Sequence, residues 1–286
     1  MLSSFIQGYW RLAEWKMSPQ QCLSFIKSHV ELGITTVDHA HIYGDPSCES
    51  LFGDALKIDR SLRDRIEIVS KCGITLAIPG KAAHYNSSKQ SILTSVEASL
   101  RRLGTDYLDI LLIHRPDFLM DAEEIADAFS QLKQQGMVKY FGASNFTSAQ
   151  LSLLGSRLDQ GVVTNQIELN PISLDVLESG VLEYLQEIQI RPMAWSCLGG
   201  GAIFTSKSEK MQRLRSVLQE LAGEIGATSI DQVIYAWLMR MPSKPLPILG
   251  SGKAQRTQSA ARSVALSMSH EQWYRVWSAS KGHGVP

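Results

Sequence analysis

The sequence predicts an α/β protein of the (β/α)8 TIM-barrel class, with residues 1–286 forming a single domain. Three observations predict it. The chain has 286 residues, a length at which closed α/β barrels run as one domain. Eight short apolar runs alternate with longer amphipathic ones, the order of a parallel sheet wrapped by helices. Polar side chains recur at the C-terminal ends of those runs, the face on which such barrels place their chemistry.

The runs are Phe5–Trp10, Thr35–Ala40, Ile66–Lys71, Leu108–His114, Tyr140–Ser144, Val162–Glu168, Arg191–Trp195 and Leu246–Leu249. Each is rich in Ile, Val, Leu or aromatic residues, as strands buried on both faces are. Between them lie helical patterns. Ser18 caps the first, with Pro19 at its first position; Phe25, Ile26, Val30 and Leu32 form the apolar face, and Gly33 stops it. Ser87 and Ser88 open a second, with Ile92, Val96, Leu100 and Leu103 on one face and Gly104 as stop. Asp121 opens a third that ends at Gly136. A glycine-rich, then polar insertion, Gly199–Glu209, follows the seventh run. The helix Ile230–Arg240 precedes the eighth run, and Ser269–Ala279, carrying Trp273, Val276 and Trp277, comes after it. A doubly wound open sheet would need GxGxxG after the first strand, and Gly8-Tyr9-Trp10 is not that turn.

Lys plus Arg and Asp plus Glu each number 28, so the formal charge is zero. That balance argues against a nucleic-acid partner and against a basic membrane-surface protein. No run reaches the roughly 18 apolar residues of a membrane span. Cys22, Cys48, Cys72 and Cys197 form no CxxC pair, and the expected compartment is the reducing cytoplasm. The expected state is a monomer acting on a small molecule.

The candidate site follows from the strand ends. Asp38 ends the second run with Tyr43 just beyond; Lys71 ends the third and His114 the fourth. Ser144-Asn145 follow the fifth, Gln166 lies in the sixth, and Trp195-Ser196 end the seventh. Each has a bland reading alone: Asp38 as a turn residue, Lys71 solvated, His114 in a loop, Trp195 in the core, Ser144-Asn145 capping the helix near Thr147. Their joint placement at one rim is what the bland readings do not explain. A phenol has a reference pKa near 10, and a neighbouring ammonium lowers it. Lys71 is expected to do this for Tyr43, with Asp38 holding Lys71 charged; Tyr43 then serves as general acid to a carbonyl that His114 orients. No side chain delivers hydride, so a cofactor is required.

These segments resemble the aldo-keto reductases. TTVDHAHIYG is similar to that family's D-x-A-x-x-Y-G motif, IVSKCG to its lysine segment and LLIHRPD to its histidine segment, which supplies the catalytic set Asp38, Tyr43, Lys71 and His114. The resemblance implies NADP(H) as cofactor and a carbonyl compound as substrate. It implies that Ser144, Asn145 and Gln166 hold the nicotinamide carboxamide and that Trp195, in MAWSCLGGG, lies against the nicotinamide ring. Tyr9, Trp10, Asp38, Ser196 and Leu198 are further implied cofactor contacts. PILGSGKAQR resembles the family's segment for the adenosine 2′-phosphate and supplies Gly250, Ser251, Lys253 and Arg256. The family often has a lysine where Gly250 stands and an asparagine where Ala260 stands. It also usually begins with a hairpin ahead of the first strand, for which this sequence leaves only a few residues. Within the family, GYWRL, TTVDHAHIYG and RPMAWSCLGGG are most similar to a branch of bacterial oxidoreductases.

Two rival readings remain. His39-Ala40-His41 is an H-x-H after a strand, as in metal-dependent hydrolases, but side chains alternate faces and the later strands lack ligands, so no metal is expected. A cofactor-binding regulatory subunit with little turnover is the other.

Overall fold

A computed structural model of the chain describes residues 2–286. Eight parallel strands close into a barrel in the order β1-β10-β9-β8-β7-β6-β3-β2. They are β1 (Ile6–Gly8), β2 (Thr36–Asp38), β3 (Glu67–Cys72), β6 (Leu108–Ile113), β7 (Val138–Ser144), β8 (Asn165–Glu168), β9 (Met193–Trp195) and β10 (Leu246–Leu249). All eight predicted runs therefore overlap a strand, five of which are shorter than the run; β3 runs on to Cys72 and β7 begins two residues early, at Val138. A small antiparallel hairpin, β4 (Ile74–Thr75) and β5 (His84–Tyr85), follows β3; two-residue strands show no hydrophobic period in the sequence. Cα packing divides the chain into two compact units: Met1–Gln166 with Gly250–Ala254, and Ile167–Leu249 with Gln255–Pro286.

In the first unit the helix Pro19–Glu31 begins as predicted. Ser18 accepts from the Gln21 N–H, while the Gln21 side chain accepts from the Ser18 N–H, a complete capping box. Lys89–Leu103 begins at Ser88 and stops at Gly104, which takes the left-handed backbone (φ 65°) that a side chain would disfavour. Ala122–Gln134 begins at Asp121. The register sets the level of the site. Gly8 pairs with Asp38, Asp38 with Val69, and Ser144 with Gln166. Lys71 lies two residues beyond Val69, so its side chain falls on the same face one step higher.

In the second unit β9 pairs with β10, Met193 opposite Leu246. The insertion becomes a tight turn, Gly199–Gly201, and a short helix, Ala202–Thr205. A 17-residue helix, Glu209–Ile225, follows. The helix His270–Lys281 packs on its neighbours: Trp273 stacks on Trp237 at 5.0 Å between centroids, and each indole N–H donates to the other's carbonyl at 3.1 Å. Among the described residues no helix is long and apolar enough to cross a membrane.

Candidate active site

The centre of the first unit's strand ends is a fully buried ammonium. Lys71 Nζ lies 2.7 and 2.8 Å from the two Asp38 carboxylate oxygens, 2.7 Å from the His39 carbonyl and 3.1 Å from Tyr43 Oη. β3 and β2 supply the lysine and the carboxylate; the turn after β2 returns Tyr43 to the same point. Asp38 Oδ1 also accepts from Gln166 Nε2 at 2.7 Å. A buried charge pair is tolerable only when its remaining hydrogen-bonding capacity is met, and this one is met from three segments.

An ammonium can only donate. Lys71 therefore donates to the Tyr43 oxygen, and the phenol keeps its own proton to give. Burial would lower the Lys71 value, but the Asp38 carboxylate and Tyr43 outweigh it, so the net direction is upward and the group stays charged. For Tyr43 the sequence-based expectation needs correction. Burial pushes its phenol above the ordinary value, and the pull of Lys71 in the other direction is smaller. The resting phenol is thereby held in its protonated, donor form, while the ammonium stands ready to stabilise negative charge on the oxygen.

His114 meets Tyr43 edge-on, ring centroids 5.8 Å apart. Burial, together with Lys71, His41 and Arg115, pulls its value down to about 2, so the ring is neutral. Its Nδ1 is buried with no hydrogen-bond partner among the described residues. Beside β7, the Ser144 hydroxyl donates to the Gln166 carbonyl at 2.9 Å, and Asn145 Nδ2 donates to the Ser144 oxygen at 2.8 Å. Asn145 holds a left-handed backbone (φ 59°), a conformation uncommon outside glycine that concentrates where strand ends are bent toward ligands.

The other expected contacts divide. Trp10 is exposed and tilted against Tyr43 at 6.5 Å. Tyr9 is a correction: its side chain is fully buried, its hydroxyl donates to Nε2 of neutral His29 at 2.8 Å, whose Nδ1 donates to the Ile34 carbonyl, and its ring stacks on His39 at 5.1 Å. Tyr9 and Trp10 lie just past the end of β1, where the Tyr9 ring turns in among His29, His39 and Phe52 while Trp10 stays exposed, so the Tyr9 ring is packing, not a ligand contact. Gly250 is exposed, and the Ser251 carbonyl accepts from Gln7 Nε2 at 3.2 Å. Gln7, buried in an otherwise apolar strand, is a positioning residue the sequence reading passed over; a lone amide in an apolar run was its signal. Gly252 was likewise passed over: a Cβ there would lie 2.5 Å from the Trp15 ring, so only glycine lets this loop approach. Lys253 is exposed ahead of the helix Ala254–Arg262, and Arg256 is exposed in its first turn. In the second unit Trp195 and Leu198 are half-buried, and Ser196 has a left-handed backbone (φ 58°) with its carbonyl accepting from the Gly199 N–H at 2.7 Å.

His39 and His41 part company. His39 is buried against Tyr9 and Phe52, whereas His41 turns to the carbonyls of Lys71 and Ile74. Among the described residues no group of three His, Cys, Asp or Glu side chains is placed to hold a metal ion.

A closed parallel barrel with a phenol, an ammonium, a carboxylate and a neutral imidazole gathered at its strand ends defines an aldo/keto reductase. The chain belongs to the aldo/keto reductase family, whose model matches residues 5–281, and it is an oxidoreductase of that family. It is 52% identical over 286 residues to the oxidoreductase YdhF of Escherichia coli K12, covering 99% of this chain and 95% of that one. It is 40% identical over 289 residues to a 6-dehydroglucose reductase of Agrobacterium fabrum, covering 99% and 96%. The crystal structure of a Klebsiella pneumoniae aldo/keto reductase with NADP and acetate superposes with a TM-score of 0.79 at 25% identity, covering 100% of this chain and 93% of that one.

Proposed function

We propose that this protein reduces an aldehyde or ketone to the alcohol with NADPH, Tyr43 giving the proton, and that residues 1–286 act as one barrel domain. The observation that carries the reading is the 3.1 Å contact in which buried, charged Lys71 donates to the Tyr43 oxygen. It leaves the phenolic proton free and places a positive charge where phenolate forms. His114, neutral, donates to the substrate oxygen and orients it. Asp38 holds Lys71 charged and in place, and Gln166 holds Asp38. These groups lower the barrier electrostatically as charge develops on the carbonyl oxygen.

When bound, NADPH supplies the hydride. The residues fit it: a hydroxyl and amides at Ser144, Asn145 and Gln166 suit a carboxamide. Trp195, Trp10, Ser196 and Leu198 are assigned to the cofactor with them. Gly250, Ser251, Lys253 and Arg256 meet the adenosine phosphate, where two cations and a helix start favour an anion. Four free, buried thiols support the cytoplasm as compartment, and a monomer is the proposed state.

The test is a tryptophan-fluorescence titration with NADPH and NADH, then a carbonyl panel of nitrobenzaldehydes and 6-dehydroglucose, the last because a relative is named for reducing it. Tighter NADPH binding with aldehyde-dependent NADPH oxidation is expected. Binding without turnover across the panel would replace the reading with a regulatory subunit.

A further inference from the structure

The ring of His41 faces two backbone carbonyls at once. Its Nδ1 is 2.6 Å from the Lys71 oxygen and its Nε2 2.7 Å from the Ile74 oxygen. Carbonyl oxygens only accept, so both contacts are hydrogen bonds only when both ring nitrogens carry protons. In a neutral ring one lone pair would point at an oxygen at that distance, and the ring or a backbone segment must shift.

We propose that His41 is a positioning residue whose imidazolium staples the end of β3 to the start of the β4–β5 hairpin, and so fixes Lys71 against Tyr43. The staple spans Gly73, whose φ of +95° makes this joint a natural pivot. Three further bonds share the joint. The His41 N–H also donates to the Lys71 carbonyl at 3.2 Å, the Asn86 N–H donates to Gly73 at 3.0 Å, and the His114 N–H donates to Cys72 at 2.8 Å. His41 is two residues before Tyr43 in the chain and grips the backbone of Lys71. One ring thereby pins both the proton donor and the cation beside it.

The charged groups around the ring leave its proton to the carbonyls. On its own segment, Asp38 is spent on Lys71. Glu49, on the following helix, accepts from Ser70 Oγ at 2.7 Å and pairs with Arg102 at 2.7 Å. Arg102 Nη2 also reaches the His41 carbonyl at 3.5 Å. Just past β6 come neutral His114 and the cation Arg115, and β5, paired with β4, carries the exposed His84 and Tyr85. Among the described residues no carboxylate bonds the ring, so both of its protons go to the carbonyls.

This inference rests on the Tyr43–Lys71 reading for its catalytic meaning, but its physical test does not need turnover. In the full chain, ring ¹⁵N shifts of His41 are followed by NMR across pH, with amide hydrogen exchange of residues 73–86 measured at each pH in wild type, His41→Gln and Tyr43→Phe. Two protonated ring nitrogens are expected wherever the hairpin is protected. Relative to His41→Gln at the same pH, wild-type protection should be on the order of tenfold greater wherever both ring nitrogens carry protons. Tyr43→Phe should keep this protection. In turnover His41→Gln should lower kcat about tenfold with KM for NADPH unchanged. A wild-type ring that is neutral while the hairpin is protected overturns the proposal, as does identical exchange in wild type and His41→Gln at every pH. Absence of any carbonyl turnover, with the wild-type protection of the hairpin present, instead overturns the reductase reading alone.

Discussion

β3 and its neighbours carry two charge clusters, one near each end of the strands, and they differ in what is left over. At the N-terminal ends, Asp109 accepts from Arg63 Nη2 at 2.7 Å and the Ile68 N–H at 2.9 Å through one oxygen, and from Lys139 Nζ at 3.0 Å through the other. Arg63 spends its other donors on Thr105 Oγ1 and the Ile66 and Tyr107 carbonyls, and the Tyr107 ring lies between Arg63 at 3.8 Å and Lys139 at 4.0 Å. The Asp109 carboxylate and the Arg63 guanidinium are fully engaged there. At the C-terminal ends the pair Lys71–Asp38 is as tightly bonded, yet it leaves a phenolic proton on Tyr43, beside the neutral ring of His114. A completed network holds a fold; a network with a donor left over is one that can meet a reactant.

The comparison can be broken by exchanging the damage. Lys71→Met should lower carbonyl-reducing kcat/KM on the order of 10³-fold, since it removes the charge that steadies phenolate. The same change removes the chief influence opposing burial at Tyr43, so tyrosinate absorbance should appear at a still higher pH than in wild type. Asp109→Ala should do the reverse. It leaves Arg63 and Lys139 unpaired and, discounted for their partial exposure, should cost about 2–3 kcal/mol, a fall in Tm of roughly 5–8 °C by calorimetry, with kcat within a factor of two or so of wild type. If Asp109→Ala abolished turnover in folded protein, the division between the two ends would be wrong.

Lys253→Ala and Arg256→Ala should each raise the Kd for NADPH about tenfold and leave the Kd for NADH unchanged, read by tryptophan fluorescence. Equal losses for both cofactors would move the phosphate contact elsewhere.

The smallest effects lie behind the strands. His29 is pulled to about 4 and His39 to about 3, both chiefly by burial. Their folded values lie below the unfolded reference near 6.5, so the unfolded chain binds more protons. The stability they contribute is full above about 6.5 and is lost as pH falls through that range toward their folded values. Tm should therefore drop on acidification. His39→Leu should flatten that drop and change stability at pH 7 by no more than about 1 kcal/mol, because both His39 nitrogens are already unpartnered among the described residues.

Strand positions and the gathering of Asp38, Tyr43, Lys71 and His114 at one rim were legible because both depend on local pattern. A buried parallel strand is an apolar run, and a polar residue at its C-terminal end interrupts that run visibly. Direction was not legible: Tyr9 and Trp10 are adjacent letters, and only packing of His29, His39 and Phe52 decides that Tyr9 points away from the site. Nor was balance. The sequence shows that Lys71 can lower the Tyr43 value, but only the depth of burial decides that desolvation wins. The bond from Gln166 to Asp38 joins residues 128 positions apart and leaves no trace in either segment. Bare adjacency likewise hid the His41 contacts, since H-x-H reads first as a metal pair.

The account turns on the proton of Tyr43, and Tyr43→Phe tests it most directly. Aldehyde-dependent NADPH oxidation should fall at least on the order of 10³-fold, with NADPH affinity and Tm unchanged, because the ring stays and only the hydroxyl goes. Turnover within about tenfold of wild type in that variant would show that another group donates the proton and would contradict the account.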